Sequence, residues 1–486
     1  MDTHEERFEA PAKTGAPVRP EIGLREALAL IVGVVIGAGI FKAPAIVAGL
    51  SGGAAQMFGL WIAGGAISLA GALCYAELTT AYPHPGGDYH YLQRAYGRSV
   101  AFLFGWARFT VITSGSIALL GFVFGDYMQQ ALPLNALPPG WGPTVYAAAV
   151  VVVLTLVNLR GIRVGARAQT VFTLAEIVGL LLIVGAAAMF TGSPDTTVNM
   201  AAAAPAPAPA SDDVSLGMAM VFVLLTYGGW NEAAYISAEV RAGPRAMVKA
   251  LTLGVAIITG LYLLVNWAYW SVLGTAGMAA SEAVAADVMA RTFGAPGARI
   301  IAVLVAVAAL TSINATMIVG ARSAYAMGCD WRVLRHLAQW DRERGTPTVA
   351  MAVQCAAALL LVSLGAALGS GFKAMVEFTA PVFWLFFLLT GISLFVLRRR
   401  EPLAPRPFKV PLYPLLPLLF CVSCAGMLWS SLSYVSSQTL GGFNAAWIGV
   451  TVLAAGAVLL LLLLLRSKKH DCAVRAPSQP SQEKNR

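Results

Sequence analysis

Long apolar runs alternate with short polar links along this chain, and the runs set its architecture. A bilayer core takes about 20 apolar residues per helix. That window divides the chain into twelve spans: 24–49, 56–80, 99–130, 142–159, 168–190, 214–240, 247–273, 298–327, 347–369, 374–397, 412–436 and 443–465. Runs such as Val450–Leu465 lack the ~10-residue alternating segments of a membrane barrel. The pattern therefore predicts an all-α membrane protein with 12 transmembrane helices.

Two of these spans are interrupted by glycine near their middles. Span 1 carries Gly37-Ala38-Gly39-Ile40-Phe41, and span 6 carries Tyr227-Gly228-Gly229-Trp230. A lone glycine in a membrane helix ordinarily marks close packing. Spans 1 and 6, however, would be equivalent positions of a five-plus-five repeat, and paired breaks of this kind point to a transporter binding site. Each unsatisfied backbone group in lipid costs several kcal/mol, so a break persists where something polar occupies it. The half-helix starting near Ile40 presents amides and a positive dipole end; the one ending near Thr226 presents carbonyls and a negative end. Together they suit a small zwitterion, and an amino acid is the obvious one.

Composition supports the membrane reading. Of 486 residues, 58% are hydrophobic and 12% charged, against about 25% charged in a soluble domain. Mean hydropathy is +0.71. Such a chain cannot cover a soluble exterior, and it is too apolar for disorder. The net charge of +9 follows topology rather than a nucleic-acid partner. Basic residues cluster in alternate links, at Arg94 and Arg98, Arg160 to Arg167, Arg241 to Lys249, Arg332 to Arg344, Arg398 to Lys409, and in both termini. The opposite links hold only Arg291, Arg299 and Lys373. The positive-inside rule then places both termini in the cytoplasm of a multi-pass cell-membrane protein. The N-terminus is polar to about Glu21, so no cleavable signal peptide is expected and the first apolar segment is expected to serve as the targeting signal. Ala201–Ala210 alternates alanine and proline, which favours an extended segment outside the membrane. The tail from Ser467 is polar and expected to be mobile.

The six cysteines form no disulfide framework or zinc pattern. Cys421 and Cys424 share one predicted helix and read as buried packing. His4, His84, His90, His336 and His470 lie in loops or tails, and no HExxH pattern occurs. No metal, no cofactor and no enzymatic activity are expected, although an intramembrane enzyme is the rival from another class.

At this point the chain resembles a family. From about residue 22 to 420 it is similar to the amino acid–polyamine–organocation (APC) superfamily of permeases, nearest the LAT-like amino-acid branch. Gly37–Phe41 resembles the first-helix signature of that family. Tyr75-Ala76-Glu77-Leu78 and Gly86-Gly87-Asp88-Tyr89 resemble the end of helix 2 and its loop, and Phe104-Gly105-Trp106 the start of helix 3. Tyr227–Asn231 with Glu239-Val240 resembles helix 6, and Arg322 with Tyr325-Ala326-Met327 the end of helix 8. Leu397-Arg398 with Arg406-Pro407-Phe408 resembles the loop after helix 10. The resemblance implies a LeuT-type fold with a 5+5 inverted repeat, discontinuous helices 1 and 6, and alternating access around a site between helices 1, 3, 6, 8 and 10.

The implied organisation is a tail (1–21), a first repeat (22–192), an Ala/Pro-rich loop (193–213), a second repeat (214–400), helices 11 and 12 (401–466) and a second tail (467–486). Carried onto this chain, Ala38, Gly39 and Ile40 would face the substrate carboxylate, with Gly37 in the same substrate-binding turn. Backbone carbonyls near Ile36, Thr226 and Tyr227, beside Gly228 and Gly229, receive the ammonium, and Trp230 sits in an aromatic gate.

Intramembrane ionisable residues are functional hypotheses by default. Glu176 stands where several relatives carry lysine; it either carries a coupled proton or pairs with Lys42. Lys42 and Glu232 each follow a break, and three roles fit them: facing the permeation path, forming an ion pair, or selecting a charged side chain. Arg108 reads as a snorkelling or packing residue. Adjacent hydroxyls at Thr311 and Ser312 raise Na⁺ as an alternative to H⁺, though such hydroxyls more often bond the preceding turn. The expected function is a secondary transporter moving an amino acid, proton-coupled or exchanging. The nearer alternative is a cationic amino-acid or polyamine antiporter, with Glu232 and Glu176 holding cations. The expected partners are the amino acid, the coupling ion and membrane lipid, with no nucleic acid.

Overall fold

The computed structural model describes residues 24–84, 86–138, 140–160, 165–190, 212–232, 234, 243–341, 344, 346–367, 371–437 and 445–474. The expected N-terminal tail, the Ala201–Ala210 repeat, the Glu239-Val240 motif and the last residues of the C-terminal tail lie outside them. Within them the regular structure is helical, apart from an isolated bridge between Asp341 and Thr346.

Span 1 is two helices, α1 (Leu24–Val35) and α2 (Ala43–Leu50), joined through a 3₁₀ turn at Ala38–Phe41. Span 2 is α3 (Ala54–Ala81), followed by a short helix α4 (Gly87–Tyr96). Span 3 is α5 (Arg98–Ala107) and α6 (Ser114–Ala131), continuous through a π-helical stretch at Arg108–Thr113. α7 (Trp141–Leu159) and α8 (Gly165–Met189) follow. α9 (Asp212–Thr226) is the first half of span 6 and is succeeded by a 3₁₀ turn at Trp230–Glu232. The rest are α10 (Pro244–Ala280), α11 (Val284–Asp330), α12 (Thr348–Ala367), α13 (Gly371–Arg400), α14 (Leu415–Ser437) and α15 (Ala445–Val474).

Among the described residues, nine helices are long and apolar enough to cross a membrane. Helices satisfy their own backbone polar groups, which is why apolar runs of this length adopt them in lipid. α8 and α9 contribute the further apolar stretches Glu176–Met189 and Ser215–Thr226, and span 1 is divided by its break. α10 and α11 each outrun the expected span. Both are kinked at a glycine, Gly274 and Gly294, that separates a short capping segment from the membrane-length part. α15 continues to Val474, past the expected start of the tail at Ser467.

Small residues bring the elements of the break regions together. A side chain at Gly64 of α3 would collide with Val223 of α9, and one at Gly65 would come within 2.6 Å of Thr259 of α10. At the end of α3, Glu77 is 2% exposed and ties the segment after α13 to this core. It accepts from Arg398 Nε at 2.7 Å and from the amide of Val410 at 2.7 Å, with Arg406 Nε 3.6 Å away.

Candidate functional site

The two breaks face each other. α1 ends at Val35, where the amide of Gly37 donates to its carbonyl at 2.6 Å. The 3₁₀ turn then begins at Ala38, and the first amides of a helix have no partner inside it. α9 ends at Thr226, and the amide of Gly228 turns back to Leu225 O at 3.0 Å. Gly229 takes φ 111°, a region that side chains disfavour. A side chain at Gly228 would stand 2.9 Å from Leu225 O, so both glycines are needed for the chain to turn here. A Cβ added at Gly39 would touch the Thr226 side chain at 3.4 Å. The hydroxyl of Tyr262, on α10, shares its proton between Val35 O at 2.7 Å and Thr226 O at 3.1 Å. One buried hydroxyl thus tethers the carbonyl ends of both broken helices. Tyr127 of α6 donates to Phe41 O at 2.7 Å and fixes the far end of the first 3₁₀ turn.

A cavity of about 350 Å³ opens beside the breaks, within the range of small-ligand sites. Its wall comes from span 1, α4, span 3, span 6, α11 and α13. Apolar groups such as Phe104, Leu119, Phe222 and Phe383 dominate, with hydroxyls at Thr113, Ser116, Thr316 and Thr379.

The predicted residues separate into two groups. Gly37, Ala38, Gly39, Thr226, Gly228, Gly229, Glu232 and Ser312 line the cavity. Ile36, Ile40, Tyr227 and Trp230 are buried behind it. Trp230, expected in an aromatic gate, packs edge-on against Tyr75 at 5.2 Å and tilted against Phe387 at 5.5 Å. It therefore braces the second break from behind. Tyr227 donates to Trp61 O at 3.0 Å and also faces away from the cavity. Thr311 donates to Val307 O at 3.0 Å, bonding the preceding turn, while its neighbour Ser312 lies on the wall.

The charges pair differently from the sequence-based expectation. Lys42 meets Asp126 of α6 at 2.7 Å rather than Glu176, and also donates to Glu282 O at 2.6 Å. Arg108 does not snorkel. It is 8% exposed, lines the cavity and donates through Nη2 to both oxygens of Glu232, at 3.2 and 3.1 Å. The π-helical stretch that begins at Arg108 lies at this wall, and such stretches often occur at functional sites. Glu176 is 3% exposed, and its Oε2 has no hydrogen-bond partner. Asp126 and Tyr262 were not singled out from the sequence.

A helical membrane protein with a cavity at two facing mid-span breaks is a transporter by architecture. The comparisons name its kind: the chain belongs to the amino acid permease family of the APC superfamily, which matches residues 22–454. It is 30% identical to the b(0,+)-type amino acid transporter 1 of Mus musculus over 402 residues, 82% of this chain and 80% of that protein. It is 28% identical to the Asc-type amino acid transporter 1 of Mus musculus over 454 residues, 93% of this chain and 82% of that one. The large neutral amino acids transporter small subunit 2 of Rattus norvegicus is 30% identical over 422 residues, covering 86% and 78% of the two chains. This chain is an amino acid transporter of the LAT-like branch and a multi-pass membrane protein, not an enzyme.

Proposed function

We propose that the protein moves a zwitterionic amino acid across the cell membrane by alternating access, held between its two helix breaks. The approach of Gly39 to Thr226, with a hypothetical Cβ at 3.4 Å, carries this reading. It sets the amide end of one half-helix against the carbonyl end of another, and these dipole ends match the carboxylate and ammonium of the solute. The proposed frame has twelve spans, with residues 22–192 and 214–400 as inverted repeats and both termini cytoplasmic.

We propose a proton as the coupling ion, carried by Glu176. Supporting this, the carboxylate is buried, has an oxygen without a hydrogen-bond partner, and lies on α8, which packs against α10, the helix whose Tyr262 tethers both breaks. A proton bound there and an amino acid bound at the breaks would bias the same element, which is the requirement for coupling. The test is uptake of a labelled amino acid panel into proteoliposomes, with proton and sodium gradients imposed separately. Accumulation driven by the proton gradient alone is the expected result. Accumulation that requires sodium, or only counter-substrate, overturns the proton assignment.

A further inference from the structure

The charged end of the cavity bears on which amino acids enter it. Arg108 and Glu232 both line the wall, one from span 3 and one from the second break. The amide of Glu232 donates to Gly229 O at 3.0 Å, so its carboxylate stands one short turn beyond the break. Among the described residues, Asp88 is the other charged residue on the wall. The pair is asymmetric: the Arg108 side chain is 10% exposed, whereas that of Glu232 is 33% exposed. Both residues line the cavity, so the chain supplies its own cation to a carboxylate on the wall of the space a substrate would occupy.

We propose that Arg108 is a built-in counter-ion to Glu232 and that this pair sets the side-chain specificity of the transporter. A lysine or arginine side chain entering this end would have to displace a guanidinium already bonded to both carboxylate oxygens. An acidic side chain would have to draw Arg108 away from Glu232. A neutral side chain leaves the pair intact and rests on the apolar wall. The cavity thus holds a latent cation subsite, masked by Arg108, and specificity is obtained by occupying that subsite from within. This inference rests on the amino acid being held at the two breaks.

The test is uptake of labelled leucine, arginine and glutamate into proteoliposomes containing the full chain. The wild type is expected to take up leucine and to discriminate against both charged probes. Arg108→Gln should raise the arginine-to-leucine ratio about tenfold or more, and Glu232→Gln should raise the glutamate-to-leucine ratio in the same way, the scale at which an unpaired buried charge discriminates. The double variant should raise neither, and Arg108→Lys should keep the wild-type ratios. A merely structural bridge would lower all three rates together without moving their ratios. Both ratios within about twofold of wild type, with robust leucine uptake, overturn the specificity assignment alone. A wild-type chain that takes up none of the probes overturns the reading of the breaks and this one with it. If Arg108→Gln does not reach the membrane, the glutamate ratio of Glu232→Gln decides.

Discussion

The Lys42 ammonium lies 2.7 Å from the Asp126 carboxylate, which moors the second half of span 1 to α6. Their side chains are 13% and 18% exposed, so neither is well solvated. Removing one partner of such a pair strands the other, which costs more than removing both. Asp126→Asn is expected to destabilise the protein by about 2–3 kcal/mol, somewhat less than a fully buried pair. Lys42→Met combined with Asp126→Leu should recover more than half of that loss. Thermal unfolding in detergent checks both, and a single variant as stable as wild type would refute the mooring.

Tyr262 offers a sharper probe of the breaks. Tyr262→Phe keeps the ring and removes the hydroxyl shared by Val35 O and Thr226 O. Leaving buried acceptors without that donor costs about 1–3 kcal/mol. The expected result is weaker amino acid binding, by about tenfold, in a protein that still folds. Equilibrium binding of the transported amino acid measures it, and unchanged affinity would separate the tether from the site.

For Glu176, substitution by glutamine preserves shape and removes the exchangeable proton. Stimulation of uptake by a proton gradient should vanish in Glu176→Gln, while binding at fixed pH is retained. Persisting gradient dependence would assign coupling elsewhere.

Glu77 is the structural counterpart. It holds Arg398, Arg406 and the Val410 amide at 2% exposure. Glu77→Gln leaves two guanidinium groups without their anion and should cost about 3–5 kcal/mol. A fall in unfolding temperature together with faster proteolysis after α13 would report it; a stable variant with an intact segment would contradict it.

The pH response of the folded protein is expected to reside partly in α4, outside the membrane spans. His90 stacks on His84 with ring centroids 4.1 Å apart. Burial, then His84 and Arg94, push its pKa from 6.5 down to about 4. Between those values the unfolded chain binds the extra proton, so stability falls as pH drops from 6.5 toward 4. His90→Asn should flatten unfolding temperature across that window, with a residual slope from His84, whose pKa burial also lowers. An unchanged slope would remove His90 from the response.

Much of this was legible in the sequence because it is local. Apolar run length gave the helices, and glycine pairs gave the two breaks, since a mid-span backbone turn needs residues such as Gly229 at φ 111°. Lys42 and Glu232 stood out as charges just past each break. Their partners did not. Asp126 sits in the last part of an apolar span and reads as a solvated helix end, and Arg108 lies 124 residues from Glu232. An arginine ten residues into a span reads equally well as packing when its counter-ion is that distant. Tyr262 is one aromatic among many in α10, and only the approach of Val35 and Thr226 gives its hydroxyl a task. Trp230 lies in a recognisable motif, but whether it faces the cavity or Tyr75 depends on a turn that spacing alone does not define.

One continuous rod, span 3, carries both Arg108 and Asp126, about five turns and roughly 27 Å apart. The second half of span 1 is hitched near one end of it, and the segment after α9 near the other. A tilt of this rod would therefore be felt at both hitches, like a balance beam whose two pans share a single arm.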